Sequence, residues 1–354
     1  MAEGFAPGSG AVRAFVEHHF LHYNARETVA AAKAYEAHLD AGGKMFVTLA
    51  GAMSTARLGR ILSRMIRAGK VHGICCTGAN LEEDLFNLLA AKEYEPLANW
   101  RALSAEDEAA LAERGMNRVT DTAIPETVMR HVEGRLRTVW ERVLKTEERL
   151  FPFEFFYEVL GQEDLAEHFQ IPREDSWVLA AKEMGLPIYS PGWEDSTIGN
   201  IFTAWAMETG ASNHEALRTG TEQLAHLSRW YRTACGLPAE GVRDRPPESV
   251  HAEGPPGAGG LPGVGFFQIG GGIAGDFPIC AVPMMRQDLK WHDTPMWGYF
   301  CQIGDAVTSY GGYSGAVPNE KITWGKLEVD TPKFMIQSDA TIVAPLIFAY
   351  VLGD

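Results

Sequence analysis

The residues with the sharpest chemical implication lie near the C-terminus, at 318–326 (PNEKITWGK). A lysine becomes nucleophilic when desolvation favours its neutral amine, and an indole wall supplies such surroundings. Lys326 has Trp324 beside it, with Gly325 between them leaving room for a ligand. Upstream, Glu320 is a carboxylate able to hold a substrate ammonium or shuttle a proton. The chemistry implied is nucleophilic attack by a neutral amine. An ordinary surface lysine beside an aromatic fits the same letters.

Two glycine turns suggest a second partner. Residues 270–275 (GGGIAG) satisfy G-x-G-x-x-G, follow an apolar run and precede Pro278, which suits a first helical turn. Gly270, Gly271 and Gly272 would let the backbone approach a pyrophosphate at a helix N-terminus; a tight structural turn is the alternative. A dinucleotide site also wants a carboxylate just past the next strand, where Asp305 stands. The other turn, Thr77–Gly78–Ala79, leads into NLEED at 80–84. Asn80 suits an N-cap, and Glu82 and Glu83 either complement the helix dipole or point into a cleft at the strand end.

These side chains need a scaffold, and the hydrophobic pattern predicts one. Short apolar runs at 44–51, 71–78, 187–192, 264–270 and 297–303, with a weaker one at 334–338, read as buried parallel strands. Helical periodicity lies between them at 26–40, 55–68, 81–92, 127–149, 175–184 and 214–235, and 341–352 closes the chain. Such alternation predicts an α/β, Rossmann-like, doubly wound and mostly parallel sheet. One large domain over 11–354 is expected, with a frayed start at 1–10 and a Pro/Gly-rich flexible loop at 238–263.

Composition narrows the function classes. The 354 residues are 46% hydrophobic and 22% charged, ample for a buried core. A net charge of -15 argues against a nucleic-acid partner and suits small cations such as polyamines. The five cysteines show no CxxC spacing, so neither a disulfide framework nor a zinc knuckle is expected. Neither a signal peptide nor a membrane span is predicted, and the cytoplasm is the expected compartment. His18 and His22 have metal-ligand spacing on a predicted helix but no third ligand, so no metal is expected. Met284 and Met285 read as core, and Trp193 either lines the cleft or packs inside.

Taken together, CTGANLEEDLFNLL (76–89), GLPIYSPGWEDSTIGN (185–200), IGGG (269–272), SGAVPNEKITWGK (314–326) and SDATIVAPL (338–346) resemble the deoxyhypusine synthase family. The resemblance runs in consistent order over roughly 40–352. It implies a Rossmann-like homotetramer with sites at dimer interfaces. The implied reaction uses NAD to oxidise spermidine and passes its 4-aminobutyl group, as an imine, to a catalytic lysine. A lysine of translation factor 5A, or putrescine in homospermidine synthases, then accepts the group. By matching motif, Lys326 is the imine-forming lysine, with Trp324 over the polyamine and Glu320 near it. Thr77, Gly78, Ala79, Glu83, Asp195, Gly270, Gly271, Gly272 and Asp339 match cofactor contacts, Ala306 falls beside Asp305, and Glu82 and Ser314 fall on the substrate side.

The departures cluster around the substrate. Where the family has an aspartate this chain has Asn200, and where it has a histidine stands Asp276; Tyr310 and Tyr313 replace two further aspartates. Asp305 is read as taking over ribose binding, Asp276 as the replacement ammonium anchor, and Tyr313 as a ring face for a cation. The preferred reading is therefore an NAD-dependent aminoalkyl transferase with a small amine acceptor, as in homospermidine synthases. Genuine deoxyhypusine synthase is one alternative; a catalytically weak nucleotide-binding homologue with a regulatory role is another.

Overall fold

In the computed structural model, which describes residues 6–241 and 255–354, every residue of β1 (Met45–Leu49) is buried. That is the signature of a strand covered on both faces. Its side chains alternate between two cores. Met45, Val47 and Leu49 pack with Phe267, Ile269, Tyr299 and Ile303 on one face, against helices Tyr23–Asp40, Gly59–Arg67 and Ala340–Leu352. Phe46 joins Phe266 and Phe300 on the other, under helices Gly220–Ala234 and Gly272–Ile279.

The remaining strands are β2 (Gly73–Cys76), β3 (Glu95–Pro96), β4 (Met116–Val119), β5 (Thr122–Pro125), β6 (Ile188–Tyr189), β7 (Gly265–Ile269), β8 (Tyr299–Gly304) and β9 (Lys333–Gln337). Five of them join β1 in one six-stranded parallel sheet in the order β6-β2-β1-β7-β8-β9. Counted along the chain, that is third, second, first, fourth, fifth, sixth, the dinucleotide-binding arrangement, and the order reverses between β1 and β7. A crevice opens beyond the carboxyl ends of strands at such a reversal. There the chain passes through Ala50–Gly51 on one side and Gly270–Gly272 on the other. A Cβ on Gly270, whose φ is +76°, would lie 2.8 Å from the Ala50 Cβ.

All six strand expectations hold, with ends shifted by one to three residues. The run at 214–235 is corrected: it divides into a 3-10 turn, Ala211–Ala216, and a helix, Gly220–Ala234, started by a capping box of Thr219 and Glu222. Helices Ala11–His19, Ala105–Glu113, Pro152–Val159 and Thr197–Thr209 had no counterpart in the periodicity reading, nor did the small antiparallel sheet β3-β5-β4. Residues 6–10 lie against the C-terminal end of the chain. The Gly8 N–H donates to Asp354 Oδ1 at 2.8 Å, and that of Gly10 to the Gly353 carbonyl at 3.0 Å. Within 238–263 the stretch 242–254 lies outside the described residues. Its C-terminal flank is packed: Ala258 N–H bonds the Cys235 carbonyl at 3.0 Å. His18 and His22 do not share a helix face, because one helix ends at His19 and His22 caps the next.

The acids of NLEED turn inward, and Asp84 shows why. Its carboxylate accepts the Ser176 hydroxyl and the N–H groups of Trp177 (3.3 Å) and Val178 (3.1 Å), capping helix Trp177–Glu183. Burial pushes Asp84 up to about 6, against the pull of those donors. Asp84→Ala leaves the donors without an acceptor and is expected to cost about 3 kcal/mol, read by urea unfolding.

Candidate functional site

Lys326 is placed by a short, closed loop. After the single helical turn Glu320–Thr323, Gly325 takes φ +66°, and the Lys326 N–H returns to the Lys321 carbonyl at 3.1 Å. The Trp297 N–H then bonds the Lys326 carbonyl at 3.1 Å, pinning the loop just before β8. The residue is 7% exposed, with its Nζ 3.9 Å from Asp276 Oδ1 and 5.1 Å from the centre of the Tyr313 ring. It faces a cleft of about 380 Å³ that Asp276, Cys280, Tyr313, Glu320, Lys321 and Trp324 also line.

Trp324 differs from its expected role as a dry wall. In the single chain it is 63% exposed, its ring centre 5.9 Å from Lys326 Nζ, so it borders the mouth. The nearer aromatic face is that of Tyr313. Its hydroxyl donates to the buried Gln268 Oε1 at 2.9 Å, which fixes the ring from the floor of the sheet. The ring does meet cations, and they belong to the protein: Lys326 and Lys321, the latter at 4.7 Å.

Sequence reasoning passed over Lys321, Gln268 and Cys280. Lys321 is 2% exposed, its ammonium against the faces of Phe300 (4.8 Å) and Tyr313 and donating to the Ala316 carbonyl at 3.2 Å. Burial first, then the charge of Lys326, brings it down to about 8. The signal was present in the closed 321–326 loop, which turns both lysines into one cleft, but only three-dimensional closure makes it readable.

The glycine turn adjoins this cleft through Asp276. Helix Gly272–Ile279 starts at the turn, and four residues along it, about 6 Å of rise, stands Asp276. The cap position, Gly271, is crowded: a Cβ there would lie 1.7 Å from Ser314 Oγ. Ser314 Oγ accepts the Gly272 N–H at 3.0 Å, so this residue, assigned to the substrate side, supports the turn.

The other assigned residues line the carboxyl edge of the sheet. Asp305 is exposed immediately past β8, followed by half-buried Ala306. Asp339 follows β9 and caps helix Ala340–Leu352, accepting the Thr341 N–H at 2.8 Å. Asp195 is exposed in the turn after β6, whereas Trp193 packs inside against Phe155 and Phe202. Thr77 caps helix Gly78–Ala90 through its hydroxyl; Ala79 is half-buried in that helix's first turn, and a Cβ on Gly78 would meet Ser196 at 2.6 Å. The Asn200 amide is spent on the carbonyls of Glu194 and Ser196.

Glu82 and Glu83 do not join the Lys326 cleft. They line a separate one of about 260 Å³ with Phe86, Glu126 and Thr197, and share none of its lining residues. Glu82 caps helix Thr197–Thr209, accepting the N–H groups of Thr197 (3.1 Å) and Ile198 (2.7 Å). Burial raises Glu82 to about 7, and burial together with the Glu82 charge raises Glu83 to about 8. A carboxyl whose folded value lies above its unfolded value holds its proton more tightly when folded. Stability therefore falls as pH rises from about 4.5 through about 8. Glu83→Gln is expected to raise the melting temperature by about 5 °C at pH 8.5 and to leave it unchanged at pH 4, read by thermal unfolding at both.

A reversal-point crevice, a glycine turn opening a helix, and a buried lysine paired to an aspartate of that helix define a doubly wound protein with an amine-bearing cleft. The chain belongs to the deoxyhypusine synthase family, a family of transferases: the model described as "Deoxyhypusine synthase" matches residues 17–223 and 262–351. It is similar to a deoxyhypusine synthase-like protein of Cyanothece sp., 29% identical over 89% of this chain and 72% of that protein. A deoxyhypusine synthase-like protein of Thermosynechococcus vestitus is 30% identical over 87% of this chain and 69% of its own length. A probable deoxyhypusine synthase 1 of Archaeoglobus fulgidus is 24% identical over 93% and 90%. Among the described residues no helix is long and apolar enough to cross a membrane.

Proposed function

We propose that this protein is an NAD-dependent aminoalkyl transferase that carries the alkyl group as an imine on Lys326 and passes it to a small amine. One observation carries the reading: a buried lysine amine faces a cleft whose acid, Asp276, stands one helical turn from the nucleotide-type glycine turn. The residues present fit a dinucleotide. Gly271 leaves no side chain at the helix cap, Gly270 and Gly272 hold φ values of +76° and +61°, and Asp305 stands past β8 where ribose hydroxyls would bind. When bound, the nicotinamide would take hydride from the carbon beside a donor amine and later return it.

The chain's own groups account for the remaining steps. The Lys326 amine adds to the oxidised donor carbon, the amine which that carbon carried takes a proton and leaves as its C–N bond breaks, and the alkyl group stays on Nζ as an imine. Asp276, 3.9 Å from Nζ, is placed to accept the ammonium proton that must leave before attack. The acceptor amine then adds to the same carbon and displaces Lys326, which recovers the proton. Glu320, exposed at the mouth, is placed to meet an incoming ammonium.

A homo-oligomer that covers the cleft suits the surface. Ile273, Val307, Val317, Trp324 and Ile342 are all exposed, in the connections beyond β7, β8 and β9. Exposed apolar residues along the carboxyl edge of the sheet fit an interface, and a second copy seated there would supply the dryness that Trp324 lacks in one chain. The test is incubation with NAD and a panel of polyamines, with products read by mass spectrometry, followed by borohydride trapping. An adduct on Lys326 that putrescine discharges supports the reading. Discharge only by a protein lysine would instead assign deoxyhypusine synthesis, and no adduct with any amine would leave a nucleotide-binding homologue.

A further inference from the structure

The cleft holds a cation that the transfer chemistry leaves unused. Lys321 is buried, lines the cleft beside Lys326, and has a backbone carbonyl and two ring faces as its contacts. Among the described residues no carboxylate lies within 4.0 Å of it, while Asp276 is within 3.9 Å of Lys326. A buried ammonium with no carboxylate in contact is costly, and π faces offset only part of that cost. The formal charges lining the cleft sum to zero, Asp276 and Glu320 against Lys321 and Lys326. A purely cationic diamine gains little from such a lining.

We propose that Lys321 is a carboxylate-binding, specificity-determining residue, and that the acceptor amine handled here is an α,ω-diamino acid. Resting on the aminoalkyl-transfer reading, this narrows its acceptor. The carboxylate would dock on Lys321 and undergo no bond change, while the terminal amine reaches the carbon held on Lys326. Glu320 at the mouth suits the second ammonium of such a zwitterion. The ion pair would also restore a full charge on Lys321, whose neighbours in the cleft are Lys326, Glu320 and Asp276. Binding near pH 8 should then take up a proton.

The experiment compares ornithine with putrescine, which has the same skeleton without the carboxylate. Calorimetry on the full-length protein, in two buffers of different ionisation enthalpy at pH 8, reads affinity and proton uptake without turnover. Ornithine is expected to bind at least ~10-fold tighter than putrescine, as a charge-assisted hydrogen bond in a partly dry site implies. Lys321→Met should abolish that preference by weakening ornithine alone, and Lys321→Arg should keep much of it. Equal or tighter binding of putrescine to the unaltered protein overturns the inference, as does a preference that survives Lys321→Met, or no binding of either amine. Failure of the parent reading is separate: it shows as the absence of a borohydride-trapped adduct on Lys326 whatever the binding preference.

Discussion

Lys326→Ala is expected to lower turnover at least about 1000-fold and to abolish the borohydride-trapped adduct, because it deletes the proposed nucleophile. The loop should survive the change. Its geometry rests on backbone bonds, Lys326 N–H to the Lys321 carbonyl and Trp297 N–H to the Lys326 carbonyl, which alanine keeps. Lys326→Arg keeps a cation beside Asp276 yet offers no amine able to form an imine at neutral pH, so it should be equally inactive. Lys321 shares the cleft and is the natural competitor, so the adduct must be located by peptide mapping. A trapped adduct on Lys321 in the unaltered protein, or turnover retained in Lys326→Ala with an unchanged circular dichroism spectrum, would remove Lys326 from the chemistry.

The sheet was legible because burial on both faces demands continuous apolar runs, and MFVTL, GICC, GFFQI and YFCQIG have little else to become. Their order was legible only as a class; the reversal between β1 and β7 depends on long-range pairing that no local pattern encodes. Helix Thr197–Thr209 was missed although Ser196 caps it locally through the Gly199 N–H; part of its capping, by Glu82, comes from 115 residues away. That same capping explains why Glu82 read as a ligand. Acids after a strand end look alike whether they face a cleft or a neighbouring helix. Lys326 and Asp276 were each legible as chemistry, but their pairing was not, because they sit 50 positions apart on separate elements. The small sheet β3-β5-β4 was invisible for a different reason: β3 is exposed and two residues long, too short for any period to register.

Gly271→Ala is the second substitution expected to have a large effect, and it tests the nucleotide half of the site. Its Cβ would lie 1.7 Å from Ser314 Oγ and 2.4 Å from Ser314 Cβ. Rotating the serine removes the first clash but not the second, since Cβ is tethered to the backbone. The segment carrying Ser314 must therefore move, breaking its bond to the Gly272 N–H and shifting the adjacent Tyr313 ring off the two lysines. Overpacking of this kind costs about 1–3 kcal/mol of stability. Affinity for NAD should fall about 100-fold, since the backbone that would approach the pyrophosphate is displaced. Ser314→Gly in the same chain removes both clashing atoms and leaves Cα at 3.8 Å, an ordinary contact. The double variant should recover most of both losses, and the coupling between the two sites should exceed what either change does alone. Calorimetric titration with NAD, beside thermal unfolding of all four proteins, separates the outcomes. Recovered stability with unrecovered binding would mean that the Ser314 hydroxyl itself orders the turn, whereas unaltered NAD affinity in Gly271→Ala would make this a structural turn and move the dinucleotide elsewhere on the sheet edge.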